Sequence, residues 1–176
     1  MTPITAQLLA SLSTKEKPEL MAPLAEAMNE FFPRYEINTE RRLEHFLAQA
    51  LHEADGFRTL QEYASGQAYE GRKDLGNTQT GDGRKFKGHG IFQTTGRANH
   101  AAAGKVMGID AVNHPELLAT PRYAVWSACI YWQSRKLNQY ADADDAKTIT
   151  KKINGGLNGY DDRLIYLGRC RQAIKG

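Results

Sequence analysis

Two glutamates nine positions apart, Glu53 and Glu62, have the residue type and spacing for paired acid–base chemistry. Cleaving a glycosidic bond takes one carboxyl group to protonate the leaving oxygen and a second to activate water or attack the sugar. Glu53 sits in His52-Glu53-Ala54-Asp55-Gly56-Phe57, where the pattern predicts the last turn of a helix, at the border of its apolar stripe beside Phe46 and Ala50. Partial burial and the negative end of a helix both disfavour a charged carboxylate, which suits a proton donor at neutral pH. Position alone favours a boundary glutamate turned to water, so the assignment needs a partner. Glu62, past the Gly56 break, is near enough in sequence to face Glu53 across a turn. Glu70 competes, but Arg72 beside it suggests an ion pair that keeps it ionised and structural.

Other chemistries find less support. His45, His52, His89, His100 and His114 show neither HxxxH nor HExxH spacing, so no metal is expected. No GxSxG elbow, phosphate loop or dinucleotide fingerprint occurs, and no cofactor is expected. Cys129 and Cys170 are too few and too far apart for a zinc site or disulfide framework, and read as buried small hydrophobes.

The elements that must position these groups are mainly helical. Leu43, Phe46, Leu47, Ala50, Leu51 and Ala54 make one stripe of a helix over 39–55, with Asn38 or Thr39 as cap and Gly56 as left-handed terminator. A second stripe runs from Leu20 to Phe32, with Pro18 and Pro23 near its start. Residues 64–96 break the pattern: they hold eight of the sixteen glycines, and alternations at 84–87 and 91–93 permit a small irregular sheet or hairpin. A loop-rich segment of that length inside a domain points to function. Helices resume at 97–107, at 121–136 after Thr120-Pro121, at 144–153 before Gly155-Gly156, and at 160–174 after Asp161 or Asp162. The 121–136 helix is apolar nearly all round and is expected to be the buried central one.

Composition sets the frame. A chain of 176 residues, 41% hydrophobic and 24% charged, suits one domain over 1–176, and no apolar run approaches the ~18 residues of a membrane span. Stable membrane insertion is therefore not expected. Residues 1–7 lack the basic and apolar regions of a secretory leader, which suggests synthesis in the cytoplasm. The net charge of +3 hides a gradient, from six Lys/Arg against ten Asp/Glu in residues 1–62 to seven against two in residues 147–176. Such polarity attracts anionic polymers, nucleic acid and acidic wall glycan alike, although a solvated basic helix explains it more simply.

Several motifs together carry a resemblance. His52-Glu53-Ala54-Asp55-Gly56-Phe57, the run Tyr69 to Thr78, Gly81-Asp82-Gly83, the run Phe86 to Asn99 and Ile153-Asn154-Gly155-Gly156-Leu157-Asn158-Gly159 resemble glycoside hydrolase family 19, and within it the phage endolysin and prophage lysozyme branch. The resemblance implies an α+β, predominantly helical, lysozyme-like fold with a substrate groove between helical lobes. It implies Glu53 as general acid, Glu62 as general base and Thr95 as holder of the attacking water. Gln93, Asn99, Asn154 and Tyr69 become substrate-binding residues, and Arg163 a basic residue supporting the carboxylates. Amide side chains suit N-acetyl sugars because they offer both donor and acceptor. There are departures: His89 stands where the family pattern has arginine, His100 where an aromatic is usual, and Ala54-Asp55 where a smaller polar pair is usual, so that Asp55 adds negative charge near Glu53.

The implied function is a muramidase cutting the β-1,4 bond between N-acetylmuramic acid and N-acetylglucosamine with inversion, for which the carboxyls stand roughly 6.5–9.5 Å apart. The implied partner is bacterial peptidoglycan, with no nucleic acid, for a monomer that reaches the periplasm with the help of a holin. The rivals are a chitinase, a lytic transglycosylase, and a non-catalytic basic protein that binds wall or membrane.

Overall fold

The computed structural model describes residues 3–175; Met1, Thr2 and Gly176, at the ends of the expected domain, lie outside the described residues. The helices are α1 (Ala6–Ser11), α2 (Pro18–Phe31), α3 (Glu40–Glu53), α4 (Asp82–Lys85), α5 (Arg97–Met107), α6 (Pro121–Ser134), α7 (Leu137–Asp142), α8 (Ala146–Asn154) and α9 (Tyr160–Ile174). The fold is predominantly helical, as expected. Its β component is reduced to two isolated antiparallel bridges, Gln61 with His89 and His89 with Thr94. The alternation at 84–87 belongs to no strand. Buried Asp82 accepts from the Gln79 amide at 3.1 Å and pairs with Arg97 at 2.7 Å, and the chain turns there into α4.

α3 is the buried axis. Thr39 caps it by accepting from the Arg42 amide, and every residue from Leu43 to Leu51 is buried. That run includes Glu44, His45 and Gln49, which the helix tolerates because partners distant in sequence reach them. His45 Nε2 lies 2.8 Å from Asp144, and the Arg171 Nε lies 3.6 Å from Glu44. α3 packs mainly on α9, and α2 packs on α6.

This corrects the expectation for α6. It buries Ala124, Val125, Ala128, Cys129 and Trp132 but leaves Trp126, Ile130 and Tyr131 partly exposed, because its other face borders a groove. In the main core Phe46 meets Phe32 and Phe92 edge-on and Trp132 at a tilt. A smaller apolar cluster of Met107, Ala111 and Leu118 backs the far wall. Cys129 and Cys170 are buried free thiols, and burial pushes the Cys170 thiol up to about 12.

Helix ends shift by a few residues from the predicted ones. The run expected over 121–136 stops at Ser134; Lys136 turns left-handed at φ 54° and starts the unforeseen α7, after which Asp145 caps α8. The N-terminal α1 carried no readable stripe.

The end of α3 is the most constrained turn. Asp55, Gly56 and Phe57 are all left-handed, with φ of 47°, 68° and 62°. A Cβ on Gly56 would stand 2.3 Å from Ser13 Oγ. Both the backbone conformation and the space therefore demand glycine. Gly56→Ala is expected to cost at least about 1–2 kcal/mol, read as a thermal midpoint several degrees lower. An unchanged midpoint would contradict this account of the turn.

Candidate active site

Glu53 ends α3 facing the first turn of α9. Arg163, only 2% exposed, bonds its Nη2 to Glu53 Oε1 at 2.6 Å, its Nη1 to Gln49 Oε1 at 2.5 Å, and its Nε to the Asn158 carbonyl at 3.3 Å. Gln49 passes the network on to Thr150 of α8 at 3.1 Å. The neighbouring His52 Nδ1 lies 2.7 Å from Asp162 Oδ2, and a Cβ on Gly159 would fall 2.1 Å from the His52 ring. The tips of α3 and α9 are thus clasped together, with the glutamate between them. The guanidinium opposes the burial and helix-end field that position alone puts on this carboxylate. Asp55 adds little net charge beside it. Burial raises the Asp55 pKa, but Tyr63 at 2.8 Å and Lys15 at 3.2 Å outweigh that and hold it low, and the lysine balances its charge.

Glu62 is oriented by a different part of the chain. Its backbone amide donates to the Gly88 carbonyl at 2.8 Å, and its carboxylate accepts from the Gly88 amide at 3.0 Å and from the Tyr69 hydroxyl at 2.8 Å. Burial first, and then this bond, raise the Tyr69 pKa, so the phenol stays a donor. Tyr69 therefore touches Glu62, a contact its expected sugar-binding role did not include. Gln93 packs on the same glycine: a Cβ at Gly88 would lie 2.0 Å from Gln93 Oε1. Gln93 is left-handed at φ 61° and ties its amide to the Gly90 carbonyl at 2.8 Å, a strained conformation of the kind that clusters at functional sites.

Gln93, Thr95 and Asn99 line one groove, of about 360 Å³, between α5 and α6. Asn99 donates to the Thr95 carbonyl at 2.8 Å. Tyr131 connects this groove to Glu53. Its pKa is raised by burial, lowered by Arg135, raised by Glu53 and lowered by Arg163, and its hydroxyl donates to the Ile153 carbonyl at 3.3 Å, next to Asn154. Asn154 is exposed, its side chain accepting from the Asn158 amide at 3.2 Å. Glu62 lines a second cleft with Lys17, Arg58 and Lys87, and Gly88, bonded to its carboxylate, links it to Gln93 of the groove.

Glu70 proves structural, for a reason other than the expected one. Arg72 pairs with Asp74 at 2.5 Å, whereas the Glu70 carboxylate accepts from the Gly81 and Gly83 amides at 2.7 and 2.8 Å. Three contributors escaped the sequence reading. Gln49 lies four residues before Glu53, the spacing of one helix face, and a buried amide there is the signal that was available. The Gly88 amide and the Tyr131 ring gave none.

The two departures at His89 and His100 turn out to be partners. Both are buried, with His89 Nδ1 2.9 Å from His100 Nε2 and His100 Nδ1 2.9 Å from the Gly96 carbonyl. A carbonyl only accepts, so His100 Nδ1 carries its proton, and a neutral His100 then accepts from His89 at Nε2. Among the described residues, no group of three or more His, Cys, Asp or Glu is placed to hold a metal.

The comparisons agree with this architecture. A family model described as chitinase class I, of glycoside hydrolase family 19, matches residues 22–159. A glycosyl hydrolase family 19 domain-containing protein of Haemophilus influenzae is 34% identical over 102 residues, covering 58% of this chain and 49% of that protein. An endochitinase of Arabidopsis thaliana is 30% identical over 141 residues, covering 75% and 48%. The chain spans about half the length of these curated relatives. Chitinase C from Streptomyces griseus shares the fold, with a TM-score of 0.77 over 98% of this chain and 92% of that one, at 18% identity.

Burial first, with some help from His89, lowers the His100 pKa to about 4, and burial also lowers that of His89. The unfolded chain protonates His100 below about pH 6.5 while the folded one resists until near pH 4, so this contribution to stability is full above 6.5 and declines across that window. For His100 the decline is on the order of 2–3 kcal/mol. His100→Gln, which keeps an acceptor but cannot titrate, is expected to flatten the fall in thermal midpoint between pH 7 and pH 4.5; an equal slope in both proteins would contradict the pairing.

Proposed function

The chain belongs to glycoside hydrolase family 19, and on that premise we propose that it is a muramidase, hydrolysing the β-1,4 bond between N-acetylmuramic acid and N-acetylglucosamine of bacterial peptidoglycan. The observation that carries a hydrolytic reading is the pair of unlike carboxylate settings. Glu53 is clamped by a buried arginine, and Glu62 is oriented on the loop that bears Gln93 and Thr95.

In this mechanism Glu53 protonates the glycosidic oxygen. Arg163 stabilises the carboxylate left behind, which makes proton donation easier as the bond breaks. Glu62, held by the Tyr69 hydroxyl and the Gly88 amide, takes a proton from a water placed by Thr95, and that water attacks the oxocarbenium-like sugar from the opposite face. Gln93, Asn99 and Asn154 meet the acetamido groups, and no cofactor takes part. A chitinase is the second reading, favoured by the names of the curated relatives, several of which are endochitinases. The Tyr69–Thr78 run and the net positive charge support the acidic glycan instead.

Glu62→Gln is expected to fold with a near-normal thermal midpoint and Glu53→Gln, which leaves the buried Arg163 without its carboxylate, with a lower one, and each to lose about 10²–10⁴-fold in product release from purified sacculi. Mass spectrometry of those products is expected to show reducing N-acetylmuramic acid ends. Anhydro ends would point to a transglycosylase, and release from chitin alone to a chitinase. Proton NMR of the first product is expected to show the α-anomer; a β-anomer would overturn the inverting mechanism.

A further inference from the structure

The groove carries a single charge. Of the side chains that line it, Arg135 alone is ionised; the rest are amides, hydroxyls, aromatics and aliphatic groups such as Ala102, Val106 and Ile130. Arg135 follows the last turn of α6, and its guanidinium carbon lies 3.5 Å from the centroid of the Tyr131 ring. That ring is itself fixed, packed against Phe92 at 5.2 Å and tied through its hydroxyl to the Ile153 carbonyl. A flat guanidinium laid on a fixed ring has lost much of its rotational freedom before any ligand arrives.

Its donors are nevertheless unspent. Among the described residues no carboxylate lies within 4 Å of Arg135, whereas Arg42, Arg97, Arg122, Arg163 and Arg171 are each held by one. Its sole side-chain bond among those residues is a long one to Ser134 Oγ at 3.4 Å. A guanidinium has five N–H donors in a rigid fork that matches a carboxylate. A polymer of N-acetylglucosamine has no anion to offer it. A muramyl glycan does: every second sugar bears a lactyl ether that ends in a carboxylate or continues into a peptide stem with carboxylates of its own.

We propose that Arg135 is a specificity-determining residue that binds a carboxylate on the lactyl or peptide substituent of a muramyl sugar lying in the groove, and so selects the acidic glycan over chitin. The proposal rests on the muramidase reading and adds the contact that would enforce it. Arg135 makes no bond to Glu53, Glu62 or Thr95 and acts on binding, with no part in bond cleavage.

The test compares wild type, Arg135→Gln and Arg135→Lys on three soluble substrates: glycan strands with peptide stems, strands stripped by an amidase so that only lactyl carboxylates remain, and chitin oligosaccharides. Arg135→Gln is expected to raise the half-saturating concentration of the charged glycan about two- to fivefold, the range for one exposed charge-assisted pair, with the maximal rate less affected. The effect is expected to shrink with added salt and to be absent on chitin oligosaccharides. Arg135→Lys is expected to restore part of the loss. A defect only on the stripped strands assigns the lactyl carboxylate, a defect only where stems are present assigns the peptide carboxylates, and a defect on both shows that Arg135 accepts either. An unchanged half-saturating concentration on both charged glycans, or an equal defect on chitin, overturns the role of Arg135 while leaving the muramidase reading standing. Wild-type protein that cuts chitin and neither glycan overturns the muramidase reading, and this proposal with it.

Discussion

A guanidinium sealed from water must have its hydrogen bonds met by protein, and Arg163 is where this fold meets that demand. Removing a charge from solvent costs several kcal/mol unless the partners are well placed. Here they are Glu53 and Gln49 from α3 and the carbonyl of Asn158 from the turn before α9. Satisfying one side chain therefore fixes the approach of two helices and the orientation of the proposed acid. The Gly159 turn, pressed on the His52 ring, follows from the same closeness. So does a partial offset of the charge gradient along the chain. Two of the basic residues near the C-terminus, Arg163 and Arg171, turn inward to acids on α3 or beside it, and they are not part of an outward anion-binding face.

The proposed acid and base stand on unlike supports. Glu53 belongs to a helix whose position the hydrophobic core determines. Glu62 belongs to a segment with almost no regular structure, held by single hydrogen bonds, by glycines at close approaches and by the buried His89–His100 contact. That contact occupies two of the places where the sequence departs from the family pattern, and neither of these departures explains itself without the other.

Periodicity made α2 and α3 readable to within a few residues, because each presents a regular apolar stripe to the main core. It misjudged which helix is central. The polar residues of α3 are buried by virtue of partners some 100 positions away, such as Asp144 for His45 and Thr150 for Gln49, and no local pattern carries that information. The apolar surface of α6 suggested burial, while part of it lines a groove. At the site, motif order marked Glu53, Glu62, Gln93 and Arg163. The partners that orient them were not readable: a backbone amide at Gly88 has no sequence signature, and the sugar-binding role expected of Tyr69 did not include its bond to Glu62.

Gly88 is where two jobs meet. Its amide holds the Glu62 carboxylate, and the room left by its missing side chain is filled by Gln93. The two groups thus share one fulcrum, and a side chain introduced at position 88 would displace Gln93 and the peptide unit that holds Glu62 in the same stroke.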